Sequence, residues 1–191
     1  MKHFTILLAL FASSTLFGIE INQTEFNQGD GFGLETREDG LRFDWETPEG
    51  KAFIDLQIIS IRGKANGPLI KEIGVEGKTI LNKVDPNFLF WVGDRDLEKR
   101  PDGWMIFFDR VPTRPYSVEK GFLAPEQITV STDGNRAVIE LDGLASTHFS
   151  GSLAFIFYKG SPFVHLEARV STQRPATAFL YHVGLGKPET Q

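Results

Sequence analysis

The sequence predicts an all-β fold, a sandwich or barrel of short antiparallel strands, and three observations point there. Aromatic residues reach 12%, with Phe supplying 17 of them. Gly (19) and Pro (10) are spread along the chain rather than clustered, which suits strands divided by tight turns. No window of roughly 15 residues combines helical apolar spacing with a cap at each end. The length of 191 residues is about one domain's worth. A hydrophobic fraction of 41% beside 24% charged residues excludes a disordered chain. The net charge of −5 lacks the electrostatic footprint of a general nucleic-acid binder.

Residues 1–18 read as a signal peptide. Met1-Lys2-His3 is a short basic start, and Phe4 to Phe17 is an apolar run too short to cross a membrane. Cleavage is expected after Ser14, with Ala12 three residues before the cut, or after Gly18. A buried N-terminal helix or strand is the alternative. No later apolar stretch has spanning length, so residues 19–191 are expected as one domain without a membrane span, secreted or periplasmic. The chain has no Cys, which excludes disulfides and thiolate metal sites, so the domain must rely on its apolar core. Export without cysteine leans toward a bacterial protein. Asn22-Gln23-Thr24 matches a glycosylation acceptor, a weak tripeptide signal.

The strands follow in order. Gly33 to Thr36 and Leu41 to Trp45 flank a turn at Glu38-Asp39-Gly40. Pro48-Glu49-Gly50 makes the next turn. Lys51 to Arg62 is a long strand with Phe53, Asp55, Gln57 and Ile59 on one face, ended by Asn66-Gly67-Pro68. Leu69 to Val75 and Lys78 to Leu81 bracket Glu76-Gly77. Phe88 to Val92 is a fully apolar, buried strand. Gly93 to Gly103 is a charged loop, and Trp104 to Val111 returns to strand. Pro112, Pro115 and Pro125 keep the next segment irregular. Gln127 to Ser131 and Arg136 to Leu141 form a hairpin across Asp133-Gly134-Asn135. Ser152 to Tyr158 and Phe163 to Val170 pair across Lys159-Gly160-Ser161-Pro162. Thr177 to Val183 is the last strand. There is no repeat of fixed period and no linker that would split the domain.

Gly143-Leu144, Phe149-Ser150-Gly151-Ser152-Leu153, the run Phe155 to Val164 with its Tyr158-Lys159-Gly160-Ser161-Pro162 turn, and Glu167-Ala168-Arg169-Val170-Ser171-Thr172 follow in an order that resembles strands of the galactose-mutarotase-like supersandwich. The resemblance spans about residues 104–185 and rests on strand rhythm and that turn. It implies an antiparallel sandwich of supersandwich type, as found in aldose epimerases and as a sugar-handling domain in secreted glycoside hydrolases and polysaccharide lyases. The two His and one Glu that aldose epimerases use do not fall here with that family's spacing. Such domains need clearly more residues, so the chain is expected to be the front part of a longer protein, with a downstream catalytic domain, or a trimmed variant.

Strand alternation selects the site candidates, because side chains two apart share a face. From Phe163 to Val170 one face carries His165, Glu167 and Arg169, and the other carries the apolar Val164, Leu166, Ala168 and Val170. A His beside a carboxylate can move protons near neutral pH. Arg can clamp the carboxylate of an acidic sugar with two parallel hydrogen bonds. His165 and Glu167 are therefore the catalytic candidates and Arg169 a substrate-binding one. The same row on a solvated outer face would be an ion pair of little energy. His182 on the last strand can join the row if the register allows, while a half-buried His among aromatics is the plainer alternative. His148 carries less weight.

Trp45, Trp91 and Trp104 are candidate sugar platforms, since pyranose C–H faces stack on indole. Trp91, in its apolar run, reads as core. Trp104 borders the charged loop and Trp45 ends a hairpin strand, so both are open to partial exposure, while core burial is the plainer alternative for each. Arg110, Arg114 and Tyr116, which flank the prolines, can line a groove for an anionic glycan or simply lie at the surface. Asp94-Arg95-Asp96 lacks the spacing of a calcium loop, and no metal or cofactor is expected. There is no Gly-x-Ser-x-Gly elbow, His-Glu-x-x-His motif, phosphate loop or dinucleotide-binding glycine pattern. The expected function is a secreted carbohydrate-binding domain associated with glycan degradation, whose partner is a polysaccharide or oligosaccharide. A lyase or epimerase acting on acidic sugars and an envelope adhesion module are the alternatives.

Overall fold

The computed structural model describes residues 13–16, 19–58, 68–95 and 115–186. Its described residues are all-β and form a sandwich of two seven-stranded sheets. The first sheet holds β1 (Ser13–Leu16), β2 (Ile19–Glu25), β9 (Phe122–Leu123), β10 (Gln127–Asp133), β11 (Arg136–Ala145), β12 (Ser150–Tyr158) and β13 (Val164–Ser171). The second holds β3 (Phe32–Arg37), β4 (Gly40–Thr47), β5 (Gly50–Gln57), β6 (Ile70–Val75), β7 (Lys78–Asp94), β8 (Tyr116–Lys120) and β14 (Thr177–Gly186). Every pairing among the described residues is antiparallel except that of β2 with β10.

The turns form where local chemistry favours them. Glu76 and Gly77 both have positive φ, 49° and 72°, as a two-residue hairpin loop between β6 and β7 requires. Glu76 tolerates that conformation while its carboxylate accepts the Lys51 amide at 2.6 Å. Gly134 turns β10 into β11 at φ 57°, and Gly160 helps turn β12 into β13 at φ 79°.

Period-two alternation fills the space between the sheets. Leu41, Phe43 and Trp45 of β4 face inward, and Ala137, Ile139 and Leu141 of β11 meet them from the other layer as part of one buried cluster. Phe157 of β12 joins the layers directly, with its ring centroid 4.6 Å from Phe43 and 4.9 Å from Trp45. Trp45 is fully buried, and its Nε1–H donates to the Ser161 carbonyl at 2.8 Å.

The structure revises several expected strands. Lys78–Leu81 and Phe88–Val92 are one 17-residue strand, β7, which runs through Pro86. Residues 78–84 pair with β6 and residues 85–94 with β14, so Pro86 lies beside the point where the ladder changes partner and its missing N–H is tolerated. Ile19–Glu25 is a central strand, and Tyr116–Lys120, in the stretch expected to be irregular, is β8. The strand begun at Lys51 ends at Gln57. The expected strand Trp104–Val111 lies outside the described residues.

β13 ends the path of the first sheet and β14 ends that of the second. The chain crosses between the layers at residues 172–176, which sets these two edge strands on either side of an opening into the core.

Candidate functional site

The outer face of the second sheet carries an aromatic row across three strands. Trp91 of β7 lies opposite Val118 of β8 and Leu180 of β14. Tyr116 lies opposite Gly93, and His182 lies opposite Leu89. This register puts Tyr116, Trp91 and His182 on one face. The Trp91 and Tyr116 rings are nearly parallel, at 10° with centroids 5.2 Å apart. The His182 ring lies 5.4 Å from Trp91 on the other side. Tyr116 and His182 are exposed and Trp91 is half-buried. Two residues expected to bind substrate, Tyr116 and His182, are thus brought together around a tryptophan read as core. Within the apolar run only Phe88, Phe90 and Val92 face inward, and Leu89 and Trp91 alternate to the outside. Trp104, Arg110 and Arg114 lie outside the described residues.

On the other side of β14, a cleft of about 480 Å³ opens between the sheets. Phe88 and Phe90 line it from β7. Leu166, Ala168 and Val170 line it from β13, and Phe179, Tyr181 and Val183 from β14. Glu167 and His182 also border it, but alternation turns their side chains to the outer faces, where they meet Arg169 and Trp91.

His165, Glu167 and Arg169 share the outer face of β13, as the alternation predicts. The arginine is already engaged by two carboxylates. Its Nε donates to Glu167 at 3.0 Å and its Nη1 to Glu140 of β11 at 2.9 Å. Ser152 donates to the same Glu140 at 2.5 Å. The Arg169 hydrogen bond holds the Glu167 carboxyl below its ordinary value, so this group is ionised at neutral pH and unsuited to donate a proton there. His165 is exposed.

A second carboxylate–imidazole pair lies between the layers. Glu119 of β8 is buried and its carboxylate meets His148 Nδ1. It also accepts the His148 amide at 3.0 Å and the Ser146 hydroxyl at 2.9 Å. Burial alone would raise the Glu119 carboxyl, but the hydrogen bonds from His148 and Ser146 outweigh it and hold the group below its ordinary value. Sequence reasoning gave His148 little weight and passed over Glu119. The clue was a charged residue at a position of β8 that alternates against the exposed Tyr116, Val118 and Lys120.

Among the described residues no group of three or more His, Asp or Glu side chains is placed to hold a metal ion. No helix among them is long and apolar enough to cross a membrane. Comparison with family models, with curated proteins and with solved structures finds no match to this chain.

Proposed function

We propose that this chain is a carbohydrate-binding domain associated with glycan degradation, exported to the periplasm or the medium after removal of residues 1–18, a cut that takes β1 with the leader and leaves β2 at the edge of the first sheet. The observation that carries the proposal is the row Tyr116–Trp91–His182 on an open sheet face. Tyr116 stacks on Trp91 and His182 tilts against it, so the row offers the exposed rings and edges of Tyr116 and His182, rather than a flat indole face, to a polysaccharide or oligosaccharide, whose sugars present C–H groups to aromatic π-systems and hydroxyls to imidazole nitrogens. The leader-like pattern of residues 1–18 and the resemblance of residues 143–172 to galactose-mutarotase-like strands support the same reading. The Glu140–Arg169–Glu167 network weighs against the lyase or epimerase alternative, because the guanidinium that would hold a sugar carboxylate already holds two protein carboxylates. The cleft weighs against an adhesion module with no concave surface.

Affinity electrophoresis through gels containing plant and algal polysaccharides tests the reading. At least one polysaccharide is expected to retard the protein. Trp91→Ala and Tyr116→Ala, each confirmed to be folded by circular dichroism, should weaken that retention about tenfold, the equivalent of roughly 1.4 kcal/mol. No retardation by any polysaccharide, or retention unchanged in both variants, would refute it.

A further inference from the structure

We infer that two copies of this chain associate through β14, edge to edge and antiparallel, about a twofold axis.

The argument begins with what protects a free strand edge. Native sheets guard their edges with charge or proline, because unpaired N–H and C=O groups template pairing with another chain. β13 carries His165, Glu167 and Arg169, and β3, at the far end of the second sheet, carries Glu35 and Arg37. β14 reads Thr-Ala-Phe-Leu-Tyr-His-Val-Gly-Leu-Gly, with no acidic residue, no lysine or arginine and no proline. Among the described residues it pairs with β7 alone.

Its side chains are as unguarded as its backbone. Phe179, Tyr181, Val183 and Leu185 lie opposite Val92, Phe90, Phe88 and Pro86, so they continue the inward-facing layer of the second sheet. Here that layer runs past the edge of the first sheet. The four side chains are 38%, 66%, 50% and 52% exposed. An inward-facing apolar row left open to water is a core surface without its cover.

A second copy supplies that cover by symmetry. In an antiparallel pair centred on His182, Tyr181 of one copy faces Val183 of the other, and Phe179 faces Leu185. These are aromatic–aliphatic pairs that stabilise adjoining strands. The twofold repeats each contact, so the interface closes on itself instead of propagating. The four side chains supply about half of the roughly 800 Å² per partner that a stable interface buries. The main-chain edge and the cleft wall of Leu166, Ala168 and Val170 supply the rest. Joining the strands leaves Trp91 and Tyr116 on the outer face but sets His182 against its symmetry mate, so the seam runs along one end of the proposed glycan row.

Sedimentation equilibrium of the full chain over a range of concentrations tests this, together with hydrogen exchange on β14. A monomer–dimer equilibrium is expected, with amides of residues 178–185 on the edge away from β7 protected only at high concentration. Tyr181→Glu and, separately, Val183→Lys place an unpaired charge in the seam and should each weaken association roughly a hundredfold or more. Both positions are at least half exposed in the single chain, so both variants are expected to fold. A monomer at every concentration would overturn the inference. So would open-ended oligomers, a dimer unaffected by both folded variants, or edge amides protected in the monomer.

Discussion

Glu119 sets a carboxylate with 4% of its side chain exposed against the half-buried ring of His148. Such a group makes stability depend on pH, with a definite sign. Its folded pKa lies below the ordinary value of 4.5, so the unfolded chain binds the proton more readily. The stabilisation is therefore fully present above about pH 4.5 and is lost as the pH falls through the folded value. Glu119→Gln removes this titration while keeping the shape. Urea midpoints measured from pH 7 to pH 3 should show the variant about 1–2 kcal/mol less stable at neutral pH. Its loss of stability on acidification should also be shallower than that of the parent. Parallel curves would show that Glu119 titrates alike in both states. The pair was illegible in the sequence, because nothing local links residues 119 and 148 and only the meeting of β8 with the β11–β12 turn joins them. The row His165, Glu167, Arg169 was legible, because alternation along a single strand suffices to place it. Its engagement by Glu140 was not, since that partner comes from two strands away.

At the scale of elements, hairpins with short glycine turns were readable and long-range pairings were not. The β3–β4, β10–β11 and β12–β13 hairpins form where their turn residues indicate. β8 escaped notice because its exposed side is the apolar one, Tyr116 and Val118, and its buried residue is a glutamate. Trp91 was hidden by a run apolar on both faces, where alternation gives no signal. The seam between β12 and β13 shows how closely these strands approach. A side chain at Gly151 would put its Cβ 1.8 Å from the Arg169 carbonyl oxygen. The φ of Gly151 is not in the left-handed region, so the demand for glycine here is one of space. Gly151→Ala must therefore push β13 outward, at a cost of about 1–3 kcal/mol as overpacking in a tight site. Thermal denaturation should report a clearly lowered Tm, with the loss of protection concentrated in the β12–β13 amides. An unchanged Tm would mean that the strands separate freely at this point.

For the molecule as a whole, sandwich architecture follows from composition, because an aromatic-rich chain without cysteine has only its core to hold it. The core that results is one cluster shared by both sheets, so neither layer has a hydrophobic interior of its own. Phe157 stands at the centre of this sharing, in contact with Phe43 and Trp45 of the opposite layer. Phe157→Ala leaves a cavity lined by those rings and should lower stability by about 3–5 kcal/mol. Because the damage falls between the layers, it should act on both sheets at once. In a urea titration, the tryptophan fluorescence transition and the far-ultraviolet circular dichroism transition should shift together to lower denaturant and stay superimposed, as a two-state domain requires. Fluorescence is informative here because Trp45 reports the inter-sheet core and Trp91 the outer face. If the two transitions separate in Phe157→Ala, one sheet survives the loss of the other, and the shared core is not what makes the sandwich fold as a unit.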